Sequence, residues 1–289
     1  MNTRKFLTSY PKWVVFSLAG MLGAVIFNSF YELIGNDRVD RDFITIALHT
    51  GFWYSWFSVG VVFALFIIQR TILGAEEYFK DSIKPILIGL SIGFLSGALA
   101  QILYSLMHGG EFIRVIAWSL AGGGLGFAIS LAIPNLKASR AFLFGLLGGL
   151  VGGVCFIVAF EVFSRLLGTD VNKFANIAAR LTGLGAIGFF VGLSVAIAEA
   201  TTTAGYLRVV WGPGEFTRVN LGETPVIVGS SRESTIRTAS SSGYPSVVAT
   251  FSLEKGQAKL INHMSGSTHI LRDGNKLNLG TIVIEVHLS

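Results

Sequence analysis

The side chains capable of nucleophilic, acid–base or metal chemistry are few in this sequence, and they do not gather. His49, His108, His263, His269 and His287 stand singly, and Cys155 is the lone cysteine, set within an apolar run. A hydrolytic or transfer mechanism needs a nucleophile with its base or a pair of carboxylates, and a metal centre needs several ligands at usable spacing. Neither pattern occurs, so the sequence predicts a protein that is no enzyme and holds no metal or cofactor. One cysteine also excludes an intrachain disulfide. His49, at the start of an apolar run, reads first as a packed or interfacial histidine.

Transport chemistry leaves its own mark, because an ionisable residue at mid-membrane is tolerated mainly for function. Here Glu32, Glu161 and Glu199 fall near the ends of apolar runs, and Asn28 and Gln101 are the strongly polar amides lying deeper. Glu32 and Glu161 occupy matching positions. Two readings stay open for them: a paired acidic site on the outer side, or carboxylates solvated at the headgroup layer.

The elements that carry these residues follow from composition. A mean hydropathy of +0.63 with 13% charged residues leaves too little polar surface for a water-soluble chain of 289 residues. Membrane lipid is therefore a partner. The net charge of +5 comes from Lys and Arg flanking the apolar runs, with no basic, aromatic-interleaved patch, so nucleic acid is not expected. Runs long enough to cross about 30 Å of hydrocarbon are Trp13 to Ile34, Ile44 to Ile68, Pro85 to Met107, Val115 to Ile133, Ala141 to Phe163 and Leu181 to Ala198. Each must be helical, since backbone polar groups find no water in lipid. The first is too long for the apolar core of a signal peptide and reads as an uncleaved span.

Glycine in these runs recurs at helical spacing. Gly89, Gly93 and Gly97 form one column; Gly145, Gly149 and Gly153 form another; Gly122 with Gly126 and Gly188 with Gly192 form shorter ones. Residues four apart share a helix face, and a glycine column lets a neighbouring backbone approach closely. These positions are expected to pack helices, with a pore lining or oligomer seam as the alternative. The odd-numbered spans also align with one another: Gly20, Gly93 and Gly149; then Gly23, Ser96 and Gly152; then Ala24, Gly97 and Gly153; then the aromatics Tyr31, Tyr104 and Phe160. Among even spans, Arg114 and Arg180 precede equivalent helices, whereas the second span, with Gly60 alone, fits poorly. The expected architecture is three tandem helical hairpins.

If the N-terminus is cytoplasmic, that side carries Arg4, Lys5, Lys12, Arg70, Lys80, Lys84, Lys137 and Arg140, against Arg38, Arg41, Arg114, Arg165, Lys173 and Arg180 opposite. Eight against six favours both termini inside, in a bacterial inner or plasma membrane.

After Thr201, Thr202 and Thr203 the periodicity becomes alternating, as in Val247, Ala249, Phe251 and Leu253 and in Ile282, Ile284, Val286 and Leu288. Turn signals at Gly212 to Gly214, Glu254 to Gly256 and Asp273 to Asn275 divide the tail into seven to nine short strands. The chain thus reads as two domains, a transmembrane bundle over residues 1–203 and a small all-β sandwich over residues 204–289.

The tail resembles the forkhead-associated (FHA) domain, a β-sandwich that in its family binds phosphothreonine peptides through loops at one end. The likeness runs from Tyr206 to Leu288. It rests on Tyr206-Leu207-Arg208-Val209-Val210 with Gly212, on Val226-Ile227-Val228-Gly229 with Ile236, on Ser246-Val247-Val248-Ala249, and on Leu271 to Gly280 as the closing strand-turn-strand. The departures fall on the binding motifs. The family's Gly-Arg becomes Gly229-Ser230, its His becomes Ala249, and its Asn-Gly-Thr loop shortens to Gly266-Ser267-Thr268.

What the resemblance implies is a partner-binding surface of Gly229, Ser230, Ser231, Arg232, Ser246, Ser267 and Thr268, with Arg232 as the replacement cation. The expected function is a non-enzymatic membrane protein presenting a cytoplasmic FHA-like module to a protein partner, phosphorylated or not, as a signalling or assembly scaffold. The alternative is a passive channel or transporter built from the glycine-rich hairpins and regulated by the β domain.

Overall fold

A computed structural model of the chain describes residues 3–34, 42–75, 79–167, 173–201, 205–238, 243–254, 256–280 and 282–288. Arg38, Arg41, Thr202, Thr203, Lys255 and the point between residues 203 and 204 where the domains were divided lie outside them. Among the described residues a short helix, α1 (Thr3–Thr8), is followed by six long ones: α2 (Lys12–Ile34), α3 (Phe43–Ile72), α4 (Phe79–Leu106), α5 (Glu111–Ser130), α6 (Ala138–Leu167) and α7 (Lys173–Thr201). All six are long and apolar enough to cross a membrane. The outer faces carry side chains that water would penalise, such as Leu95 and Leu99, 58% and 64% exposed. A covering of lipid removes that penalty.

The expected ends shift at both extremes. Residues Leu131 to Ile133, assigned from composition to the fourth span, lie beyond α5: Pro134 disfavours helix at the residue before it, and Asn135 at φ 56° turns the chain. α1, too short to give a periodic signal, was not anticipated.

Each long helix packs against its neighbours in sequence, and α7 closes the ring onto α2. α3, α5 and α7 also touch one another across the middle, so they form an inner triangle, while α2, α4 and α6 lie outside it. Glycine sets these contacts. A Cβ on Gly20 would strike α7 at Gly188, one on Gly93 would strike α3 at Ser58, and one on Gly149 would strike α5 at Gly122 and Trp118. Three residues on, Gly23 abuts α3 at Gly60, Ser96 abuts α5 at Gly124 and Gly152 abuts α7 at Ile187. The residues that align in sequence thus make matching contacts in space. Ser58 stands in α3 where α5 has Gly122 and α7 has Gly188, which is why the second span fits the pattern poorly. The other columns pack likewise: Gly89 and Gly97 on α3, Gly145 and Gly126 against each other, Gly153 on Trp118 and Gly192 on Phe16.

Beyond the bundle, the described residues form nine strands in two sheets: β1 (Gly205–Gly212), β2 (Glu215–Asn220), β3 (Val226–Gly229), β4 (Ile236–Arg237), β5 (Ala249–Glu254), β6 (Gln257–Asn262), β7 (Ser267–Leu271), β8 (Lys276–Leu279) and β9 (Ile282–Leu288). The four-stranded sheet has the order β2-β1-β9-β8 and the five-stranded one β4-β3-β5-β6-β7, antiparallel except for β3 with β4. Alternation along β1, with Leu207, Val209 and Trp211 inward, supplies one half of the core. Val226, Val228, Ala249, Phe251, Ala258 and Leu260 supply the other.

Two turns and one helix of the bundle, all at the end where α2 begins, grip this domain. Leu73, just past α3, is buried in the β core, and its carbonyl accepts the Arg237 N–H at 3.1 Å. Asn135, in the turn after α5, donates through Nδ2 to the carbonyls of Asn220 and Thr224, both at 3.0 Å. Asn220 in turn donates to the Glu199 carbonyl of α7 at 2.9 Å. The N-terminus adds a fourth tie, with Arg4 paired to Glu215 at 2.8 Å and stacked over Trp211.

Candidate binding surface of the β domain

Strand register brings the residues named from the FHA resemblance to one end of the five-stranded sheet. Val228 pairs with Ala249, Ala249 with Asn262, and Asn262 with Ser267, so the end of β3, the start of β5, the end of β6 and the start of β7 lie side by side. From Gly229 to Ser267 is three strand spacings, roughly 14 Å.

On the β3 side the residues are closely interlocked. Gly229 has no room for a Cβ because the Ser246 carbonyl lies against it. The Ser231 N–H donates to that same carbonyl at 2.9 Å, and Ser230 N–H to the Pro245 carbonyl at 3.3 Å. The Ser230 hydroxyl donates to the Tyr244 and Pro245 carbonyls, each at 3.2 Å, and the Ser231 hydroxyl pairs with that of Ser234 at 2.9 Å. These hydroxyls satisfy backbone and one another, which fixes the loop but leaves them little donor capacity for a ligand.

Arg232 projects from this loop to the bundle. Its Nε donates to Oδ1 of Asp81 in the first turn of α4, while Oδ2 of Asp81 accepts from Arg70 at 3.1 Å. Asp81 is 19% exposed and serves two guanidiniums, of which that of Arg70 also lies near Arg237. The cation that the sequence offered to a phosphate is thus committed to an ion pair between domains. Asp81 and Arg232 are 151 residues apart, and nothing in the local pattern links them.

Across the sheet the surface is different. β7 is hydrogen-bonded on one side to β6 and forms the edge of its sheet. Ser267 Oγ lies 2.8 Å from His269 Nε2 and 2.6 Å from Ser265 Oγ, and Thr268 is exposed. On the outward face, Thr268 and Ile270 stand opposite Ile261 and Lys259 of β6. Ile270 is 66% exposed and Met264 60%. His263, which the sequence presented as a lone histidine, sits at the same end with Nε2 3.0 Å from the Thr250 hydroxyl. A strand edge with apolar side chains beside it is uncommon on a free surface, because its unpaired N–H and C=O groups invite another strand.

No family model, no curated protein and no solved structure matches this chain.

Proposed function

We propose that the protein is a non-enzymatic membrane scaffold whose six-helix bundle anchors an FHA-like β domain, and that the β domain engages a cytoplasmic protein partner. The two-sheet arrangement with its loops gathered at one sheet end supports the FHA-like reading. The observation that carries the binding role is the edge of β7, which no other strand among the described residues pairs with, flanked by Thr268, Ile270 and Met264. A partner that adds a strand along β7 would satisfy the edge groups, and the apolar side chains would give it register. Phosphopeptide reading is a secondary property in this proposal, since Arg232 must first leave Asp81.

The test uses full-length protein in detergent as bait in a host lysate. A partner retained by the wild type, lost with Thr268→Pro and kept with Arg232→Ala supports edge binding. Proline removes one edge donor and disfavours strand addition. A wild-type bait that retains nothing beyond control resin removes the scaffold role.

The channel reading draws less from the geometry. On the β-domain half of the inner triangle, Val61, Leu65, Leu125, Ile129, Val191 and Val195 are fully buried and fill the axis. Solute flux in proteoliposomes above that of protein-free vesicles would revive it.

A further inference from the structure

At the end of the bundle farthest from the β domain, the inner triangle is not filled. A cavity of about 480 Å³ opens there, bounded by all three inner helices and by the ends of α2, α4 and α6. That size lies within the range of small-molecule sites. Arg114 at the rim and Ala121 at the floor are seven residues apart on α5, so the depth is about 10 Å at 1.5 Å per residue.

Its wall has two zones. The floor is aromatic: Trp53, Tyr54, Trp118 and Phe156, with small residues such as Gly97 and Ala117 making the space. Trp118 stacks at a tilt on Phe156 and packs on Tyr54 and Trp53. The Tyr54 hydroxyl, in a residue 1% exposed, has no hydrogen-bond partner among the described residues. The rim is polar and, among the described residues, is lined by two guanidiniums and one carboxylate, with the Glu111 carboxylate just outside: Arg180 pairs with Glu32 at 2.7 Å, and Arg114 completes the lining. Arg114 donates to the Tyr104 hydroxyl at 3.2 Å and to Glu111 at 3.0 and 3.2 Å. Glu111 is 60% exposed, so that pair is a weak surface one that a better anion can displace. The Tyr31 hydroxyl lies 2.9 Å from His49 Nε2, adding a polar pair.

We propose that this cavity binds a small amphipathic anion, with a carboxylate or phosphate at Arg114 and an apolar body of one or two rings' size against the Trp53–Trp118 floor. A cation would meet the Arg114 charge, and a wholly apolar molecule would strip water from the rim without replacing its hydrogen bonds. The same chemistry is found in a soluble organic acid and in the head region of an anionic lipid, and the experiment separates these sources.

Full-length protein in phosphatidylcholine nanodiscs is titrated with indole-3-propionate and with its neutral amide, followed by calorimetry. The carboxylate binds saturably and roughly tenfold tighter than the amide, as expected when a charge-assisted hydrogen bond replaces a neutral one. Arg114→Gln removes that preference, and Glu111→Gln, which frees Arg114, tightens the carboxylate; the opposite signs distinguish binding from a general loss of fold. Repeating the titration in discs containing phosphatidylglycerol assigns the source: competition marks the lipid, and unchanged affinity marks the soluble acid. The proposal is overturned if carboxylate and amide bind equally, if neither variant changes the carboxylate affinity, or if neither the carboxylate nor phosphatidylglycerol binds.

Discussion

Replacing Asp81 by Asn tests how the β domain is held to the bundle. The substitution keeps the size of the side chain and removes the charge that pairs with Arg70 and Arg232. The Arg232 pair is half open to solvent on the arginine side, at 44%, so screening leaves it roughly 0.5 kcal/mol. In the Arg70 pair both partners are about four-fifths covered. That pair joins α3 to α4 inside the bundle and persists when the β domain undocks, so it belongs to bundle stability and not to docking. The docking term is therefore about 0.5 kcal/mol, a factor of roughly 2 in the docking equilibrium. The reporter is the Arg237 amide, which donates to the Leu73 carbonyl across the domain boundary. Hydrogen–deuterium exchange on full-length protein in nanodiscs should show this amide and its neighbours exchanging about twofold faster in Asp81→Asn. Amides in the middle of β5 should be unchanged. Equal exchange at Arg237 in both proteins would refute the claim that Asp81 clamps the domain.

The other predictions follow from the same contacts. Gly122→Val should lower bundle stability by at least about 2 kcal/mol, because its side chain would enter the backbone of α6 at Gly145 and Gly149; Gly185→Ala, which meets no backbone but only the side chains of Val25 and Met21 at 3.1 and 3.5 Å, should be near neutral in the same thermal melts. A phosphothreonine peptide should bind wild type weakly and Asp81→Asn more tightly, with the gain lost in Asp81→Asn/Arg232→Ala, as read by fluorescence polarisation. The Lys276 ammonium at 2.6 Å, together with Arg208 at 3.2 Å, holds the Glu285 carboxyl below the usual glutamate range. Its contribution is therefore present above the unfolded value of about 4.3 and is lost as pH falls through the lower folded value. Acid melts of Glu285→Gln should lack that part of the decline. A cytoplasm-dependent reporter fused after Ser289 should be active and one inserted near Asp170, outside the described residues, silent; the inverse pattern would put the β domain outside the cell.

Helices and their packing faces could be read in advance because lipid imposes length and glycine imposes approach. Six apolar runs gave six helices, and Gly20, Gly93 and Gly149 proved to occupy matching contacts. Which helix each column faces could not be read, since closure of the ring by α7 on α2 is a long-range event. The candidate loop residues were found through a resemblance, but their environment was not. Arg232 is an unremarkable loop arginine until α4 brings Asp81 beside it. The cavity was half visible: Tyr31, Tyr104 and Phe160 aligned as repeat equivalents, and Arg114 and Arg180 as matching flanks. All five line one space, yet in one dimension they read as a repeat signature and as membrane-flanking charge.

The central claim is that the β domain engages a protein through the edge at β7, and photocrosslinking in intact cells addresses it most directly. A photoreactive residue at Thr268 or Ile270, both exposed beside the edge, should give one discrete protein adduct. The same residue at Phe216 in β2, 53% exposed on the other sheet, should give none. Adducts absent from both β7 positions, or equal at Phe216, would contradict the account.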